Sequence, residues 1–145
     1  MAKLLDSDIT VTPDEQPDEV EIWEDVCFLS RLIPERGIAA LLGEHQVAIF
    51  RIDDESGTQL YAVDHIDPRM KAPTMARGLV GSVGDEPTVA APLLKEKYSL
   101  VTGECLTDPQ YSLNVFEVRV HQHTVQLRKP VQPQEPAELR QNVTS

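Results

Sequence analysis

The chain has 145 residues, of which 41% are hydrophobic, and a formal net charge of −11. That length supports one modest core in a single domain. The sequence has no run of about 18 apolar residues, so no membrane span is predicted. Its acidic start lacks the basic and apolar segments of a secretory signal, which favours the cytoplasm. Because non-specific nucleic-acid affinity depends on positive charge, the acidic balance also disfavours binding to nucleic acids.

Both ends of the chain are predicted to be tails. Residues 1–25 carry nine acidic residues and one basic residue, and residues 1–20 are expected to form an acidic, flexible tail because they show no apolar period. Residues 130–145 begin with a proline at every third position. Proline fixes φ and removes a donor, so these residues predict an extended tail rich in proline and glutamine. The folded domain is therefore expected over residues 21–129.

The central part of the chain shows mostly strand signals. A single helical turn is predicted at residues 29–34, with Ser30 as its cap. The turn-forming residues 53–57 are expected to form a loop between two strands. Short strands are predicted at residues 38–42, 46–52, 60–63, 78–83, 88–91 and 99–100. Many short strands at close spacing indicate an all-β fold, a small antiparallel sandwich or barrel.

The last two strands are predicted to form a hairpin. Residues 115–120 alternate apolar with charged side chains, and residues 124–128 repeat the alternation after a polar break. This pattern predicts one buried face and a turn at residues 121–123. The side chains expected on the buried face of the first strand are Phe116, Val118 and Val120.

Acidic and histidine side chains lie close together near residue 65. Asp64 and His65 point to opposite faces of an extended segment, and His65 shares its face with Asp67. Two ligands on one face rarely suffice for a metal. We therefore expect Asp67 to cap the turn at Pro68 by accepting backbone N–H bonds.

The remaining histidines and cysteines do not form a recognisable site. His121 and His123 have a metal-ligand spacing, but at a hairpin tip they are expected to be solvated. Cys27 and Cys105 are predicted to be buried thiols in a reducing compartment. Neither cysteine has a histidine neighbour in sequence, and no catalytic residue is predicted on this chain.

Residues 89–100 resemble one of the two cluster-binding loops of Rieske proteins. Aligned on Pro92 and Tyr98, they follow the pattern C-P-x-H-G-x-x-F-x-L. Ala91 then occupies the cysteine position and Leu94 the histidine position.

Residues 63–69 resemble the other cluster-binding loop, C-P-H. Around Pro68, Asp67 stands in place of cysteine and Arg69 in place of histidine. A Rieske cluster needs two thiolates on one iron and two imidazoles on the other. The four substituted positions are vestigial, so we predict that this chain binds no metal.

Further segments extend the resemblance to a specific family. Residues 75–81 lie between the two loops, and Gly103-Glu104-Cys105 follows the second loop. In this order the segments resemble the small subunit of NAD(P)H-dependent assimilatory nitrite reductase, and the resemblance runs over residues 23–128. That family commonly has an aromatic residue where this chain has Arg69.

The resemblance implies a Rieske-type β architecture and a role as a non-redox accessory subunit. The holoenzyme reduces nitrite to ammonium with NADH or NADPH, and the choice between the two lies on another chain. FAD, a four-iron four-sulfur cluster and siroheme are expected on the large subunit, and no cofactor on this chain. Two alternatives remain open: a stand-alone β-fold protein-binding module, and a Rieske-type electron carrier with unconventional ligands.

Positive charge is concentrated in and near the two loops. In a Rieske-type fold the loops form one exposed tip, which here also carries apolar side chains that include Met70, Met75 and Leu94. Apolar groups rimmed by charge suggest a docking surface for the large subunit. The alternative is that the charges only keep the loops soluble. The residues predicted to dock are Arg69, Lys71, Arg77, Leu93, Lys95 and Lys97.

Overall fold

The computed structural model describes residues 22–129, so the predicted tails at residues 1–20 and 130–145 lie outside the described residues. A compact unit spans Asp25–Leu127. Residues 22–24 and 128–129 belong to a second unit, in which the Lys129 amide donates a hydrogen bond to the Ile22 carbonyl at 2.7 Å. Within the described range, no helix is long and apolar enough to cross a membrane.

Short strands dominate the regular structure of the described residues, as the sequence predicted. In chain order the strands are β1 Trp23–Phe28, β2 Gly37–Leu42, β3 His45–Asp54, β4 Gly57–Asp64, β5 Ile66–Asp67, β6 Ala72–Pro73, β7 Leu79–Val83, β8 Glu86–Ala90, β9 Lys97–Ser99, β10 Val115–Phe116, β11 Val118–His121 and β12 Thr124–Arg128. Two 3₁₀ turns lie at Leu29–Arg31 and Met75–Arg77. The prediction of an all-β fold is confirmed.

The strands form four antiparallel groups. The largest sheet has the order β10-β4-β3-β2. Two three-stranded sheets have the orders β9-β8-β7 and β11-β12-β1, and β5 pairs with β6 alone. Successive side chains of a strand point to opposite faces. In β3, Ala48 and Phe50 therefore join one buried cluster, while Val47 and Ile49 join another.

The β3–β4 hairpin is tighter than the sequence predicted. Asp54 pairs with Gly57, which leaves only two residues in the turn instead of the predicted five. The Asp54 carboxylate accepts bonds from the Ser56 amide at 2.9 Å and from the Ser56 hydroxyl at 2.7 Å. These bonds close a short turn and keep its flanking residues in the strands.

The predicted strand at residues 115–120 is two strands. β10 pairs with β4, and β11 pairs with β12, so the chain moves from one sheet to another at Glu117. Phe116 and Val118 still pack against one buried cluster, whereas Val120, near the end of β11, is 42% exposed, and its predicted burial is wrong. The hairpin turn is confirmed, with Gln122 and His123 both at positive φ.

The first 3₁₀ turn also differs from its prediction. Ser30 lies inside the turn Leu29–Arg31, and Phe28 occupies the capping position without a side-chain bond. A turn of three residues leaves few amides to cap, so the predicted role of Ser30 is wrong.

Candidate functional site

The two cluster-type loops lie side by side. Arg69 in the first loop (residues 63–69) forms an ion pair with Glu96 in the second loop (residues 89–100). The Arg69 guanidinium also lies 4.0 Å from the Asp108 carboxylate and 5.5 Å from the centre of the Tyr111 ring. The predicted convergence of the loops is confirmed. We call their joint surface the loop tip.

Asp67 organises the first loop from a buried position. One carboxylate oxygen accepts bonds from the amides of Arg69 at 2.9 Å and Met70 at 3.2 Å. The predicted turn at Pro68 is therefore confirmed. The other oxygen is buried and has no hydrogen-bond partner among the described residues. The carboxylate thus serves the backbone of its own loop.

Backbone bonds close the second loop. The Ala91 amide donates to the Glu96 carbonyl, and the Lys95 amide donates to the Ala91 carbonyl, each at 2.9 Å. Lys95 adopts φ +64°, which bends the chain back on itself. Ala91 is buried, whereas the Leu94 side chain is exposed.

The residues at the ligand positions do not fit an iron–sulfur cluster. A Rieske cluster requires two thiolates and two imidazoles. These positions supply a methyl group at Ala91, an isobutyl group at Leu94, a guanidinium at Arg69 and one carboxylate at Asp67. Among residues 22–129, no group of three or more histidine, cysteine, aspartate or glutamate side chains is arranged to hold a metal.

Tyr98 lies in the core beside the first loop. Its side chain is fully buried, and its hydroxyl has no hydrogen-bond partner among the described residues. Burial is the main cause that raises the Tyr98 pKa, and nearby ionisable groups, among them Asp67 and Glu96, raise it further. The phenol is therefore neutral.

The predicted docking cations differ in their contacts with other residues. Lys71, Lys95 and Lys97 are exposed and form no ion pair with another described residue. Arg69 differs, because Glu96 holds its guanidinium and raises its pKa. Arg77 is exposed at the end of the second 3₁₀ turn.

The apolar side chains of the loop tip differ in exposure. Met70, Leu93 and Leu94 are exposed by 43%, 55% and 41%. Met75 is fully buried in the core, so its predicted place on the surface is wrong. Met75 is the first residue of the 3₁₀ turn that follows the first loop, and its side chain packs into the core. No local sequence pattern predicted this inward packing.

The sequence did not predict which residues surround the Arg69 guanidinium. Glu96, Asp108 and Tyr111 surround the Arg69 guanidinium, yet they lie 27 to 42 positions away in sequence. The only available signal was one acidic residue between two lysines in the second loop. Charge pairing over that distance has no sequence period.

The cysteines and exposed histidines take no part in the loop tip as ligands. Cys27 and Cys105 are free thiols; Cys105 is buried, and Cys27 is only half-buried. Burial raises the Cys27 pKa. His121 and His123 are exposed, as the sequence predicted.

Comparison with known proteins places these features in a family. Residues 22–128 match the model of the Rieske-like [2Fe-2S] domain family. The chain is 41% identical over 106 residues to the nitrite reductase (NADH) small subunit of Escherichia coli K12, covering 73% of this chain and 96% of that protein. The solution structure of the Escherichia coli protein NirD superposes with a TM-score of 0.66 at 40% identity, covering 73% of this chain and 94% of that one.

A further relative is a much longer protein. Over 98 residues the chain is 36% identical to the nitrite reductase [NAD(P)H] large subunit of Klebsiella oxytoca. The match covers 68% of this chain but 10% of that protein. A segment of this kind therefore occurs within a chain that carries the large-subunit name.

Proposed function

This chain belongs to the family of nitrite reductase small subunits, and from that premise we propose that it supports the large subunit without carrying electrons itself. In the assembled NAD(P)H-dependent enzyme, FAD, a four-iron four-sulfur cluster and siroheme belong to the large subunit, and the enzyme works in the cytoplasm. The main support for this proposal is that a Rieske-type pair of loops has Asp67, Arg69, Ala91 and Leu94 at its ligand positions. Those side chains lack the thiolates and imidazoles of such a cluster.

The loop tip is the proposed contact with the large subunit. It presents exposed lysines at 71, 95 and 97 around the exposed apolar side chains of Met70, Leu93 and Leu94. An apolar centre with a charged rim is typical of protein interfaces, and the rim directs the approach of an oppositely charged partner. We therefore expect an acidic, partly apolar surface on the large subunit.

The Klebsiella oxytoca relative supports a one-to-one assembly. Its large-subunit chain includes a segment similar to 98 residues of this protein. Covalent joining gives one such segment per chain and a high effective concentration at its contact site. We infer the same ratio for the separate chains.

Reversal of two lysines tests the docking surface. Lys95→Glu/Lys97→Glu is expected to weaken the complex with the large subunit at least about tenfold, because both charges oppose an acidic partner. Co-expression, size-exclusion chromatography and nitrite-dependent NAD(P)H oxidation measure the effect. Arg31→Glu/Arg36→Glu is the matched control, since it makes the same charge change at exposed residues outside the loops. Equal complex formation in the two variants contradicts the docking proposal.

Iron content tests the non-redox role and separates it from the alternatives. We expect the purified chain to be colourless and free of iron, and its addition to restore the activity of a large subunit prepared without it. A brown protein with stoichiometric iron contradicts the proposal and favours an electron carrier. Recovery from cells without the large subunit favours an unrelated binding module.

A further inference from the structure

We propose that Arg69 and Glu96 form a clasp that holds the two cluster-type loops together and fixes the spacing of the docking lysines. In a Rieske protein the cluster itself joins the loops, since each loop supplies ligands to it. Here the histidine position of the first loop is occupied by Arg69, whose guanidinium forms an ion pair with Glu96 in the second loop. The role in docking rests on the proposed function, whereas the joining of the loops does not.

The Arg69–Glu96 contact is distinctive among the bonds of this region. Within residues 22–129 it is the one side-chain hydrogen bond that joins residues 63–69 to residues 89–100. The carboxylate of Asp67 instead accepts bonds from the amides of Arg69 and Met70, and Glu96 also accepts a weak bond from the Cys105 thiol at 3.8 Å. Loss of the clasp therefore removes this side-chain link and lets each turn open and shift more often, although Val63, Ala91 and Tyr98 still share one buried cluster.

A third segment holds the arginine in place. The Asp108 carboxylate lies 4.0 Å from the guanidinium, and the Tyr111 ring centre lies 5.5 Å from it. A planar guanidinium suits simultaneous contact with carboxylates and an aromatic face, and a lysine does not replace it there. The Glu96 side chain is only 13% exposed, so solvent screens its charge less than that of a fully exposed partner.

The clasp residues are close neighbours of the docking lysines in sequence. Glu96 lies directly between Lys95 and Lys97, and Lys71 lies two residues after Arg69. Lys71 and Lys95 both adopt positive φ, at 59° and 64°, so their backbone is set by the turns that the clasp connects. A shift between the turns therefore changes the distance between the lysines of the two loops.

Amide hydrogen exchange in the full chain tests the clasp. We expect Arg69→Met and Glu96→Gln each to speed exchange at the Met70 and Lys95 amides roughly two- to fivefold, the range of a partly exposed ion pair. The double variant is expected to exchange no faster than either single variant, because both remove the same contact. Arg36→Met is the control. Exchange rates equal to those of the control overturn the clasp, and so does additive acceleration in the double variant.

Affinity for the large subunit tests the second half of the inference. We expect Arg69→Met to weaken the complex roughly two- to fivefold, less than the lysine reversal does, because the lysines remain but are less well placed. Faster exchange with unchanged affinity overturns the link between clasp and docking. In that case a weakened Lys95→Glu/Lys97→Glu complex shows that the proposed function still holds, and an intact one shows that it fails as well.

Discussion

The Nδ1 atom of His65 accepts a hydrogen bond from the amide of Ala76 at 3.1 Å, which joins the first loop to the 3₁₀ turn that follows it. The backbone strengthens the same connection, because the His65 carbonyl accepts a bond from the Met75 amide at 3.0 Å. Nδ1 accepts only when it carries no proton. The neutral imidazole is therefore the form that fits this structure.

This bond predicts a loss of stability on mild acidification. Burial lowers the His65 pKa, and the positive charge of Arg77 lowers it further. As the pH falls below the ordinary value of about 6.5, the unfolded chain takes up a proton that the folded chain does not. The contribution of His65 to the free energy of unfolding is thus complete above a pH of about 6.5. It is lost progressively as the pH falls towards the lowered pKa of the folded state.

Denaturation in urea at pH 7.5 and pH 5.5 measures this loss. His65→Asn retains an acceptor in place of Nδ1 but cannot titrate, so we expect a smaller drop in unfolding free energy than in the unaltered chain. His123→Gln removes an exposed histidine and serves as the control. Equal pH dependence in His65→Asn and the unaltered chain would show that His65 takes up its proton equally in the folded and unfolded states.

Asp67 predicts a difference between two substitutions. Asp67→Ala removes the acceptor of the Arg69 and Met70 amides, and we expect a loss of about 1–3 kcal/mol in the free energy of unfolding. Asp67→Asn keeps that acceptor and removes a buried charge with an unpartnered oxygen. Urea denaturation should therefore find the asparagine variant the more stable of the two. A cluster-type or metal role for Asp67 would instead make both variants equally damaging.

The hydroxyl of Tyr98 is expected to be removable without loss of stability. Its side chain is fully buried and its oxygen has no partner among the described residues. An unsatisfied buried hydroxyl costs about 1–3 kcal/mol, so Tyr98→Phe is expected to leave stability unchanged or to raise it. Thermal unfolding measures the shift. A loss of more than about 1 kcal/mol would show that the hydroxyl has a bound water as its partner.

The sequence predicted the parts of this protein that local patterns govern. The strand signals at residues 46–52 and 60–63 and the short reach of Asp67 to its own turn are properties of neighbouring residues, and both predictions are confirmed. The Arg69–Glu96 ion pair was not predicted, because no periodic sequence pattern links charged residues that lie 27 positions apart. The break at Glu117 escaped because alternation looks the same whichever strand is the partner.

Two glycines at positive φ predict different penalties. Gly103 has φ +83°, and an added Cβ would lie 2.0 Å from the Leu113 carbonyl oxygen. That oxygen belongs to backbone whose amide donates to the Gly103 carbonyl at 2.7 Å, so it cannot move without breaking the turn after the second loop. Gly84 has φ +63°, but nothing lies within 4 Å of its added Cβ.

The pair therefore separates backbone strain from steric conflict. Gly84→Ala is expected to cost about 1 kcal/mol from its φ alone. Gly103→Ala carries that cost and a clash with fixed backbone, for a total of about 2–4 kcal/mol. Urea denaturation of both variants gives the difference directly. Equal losses would mean that the Leu113 backbone yields freely, and the turn at Gly103 would then not be a rigid support for the second loop.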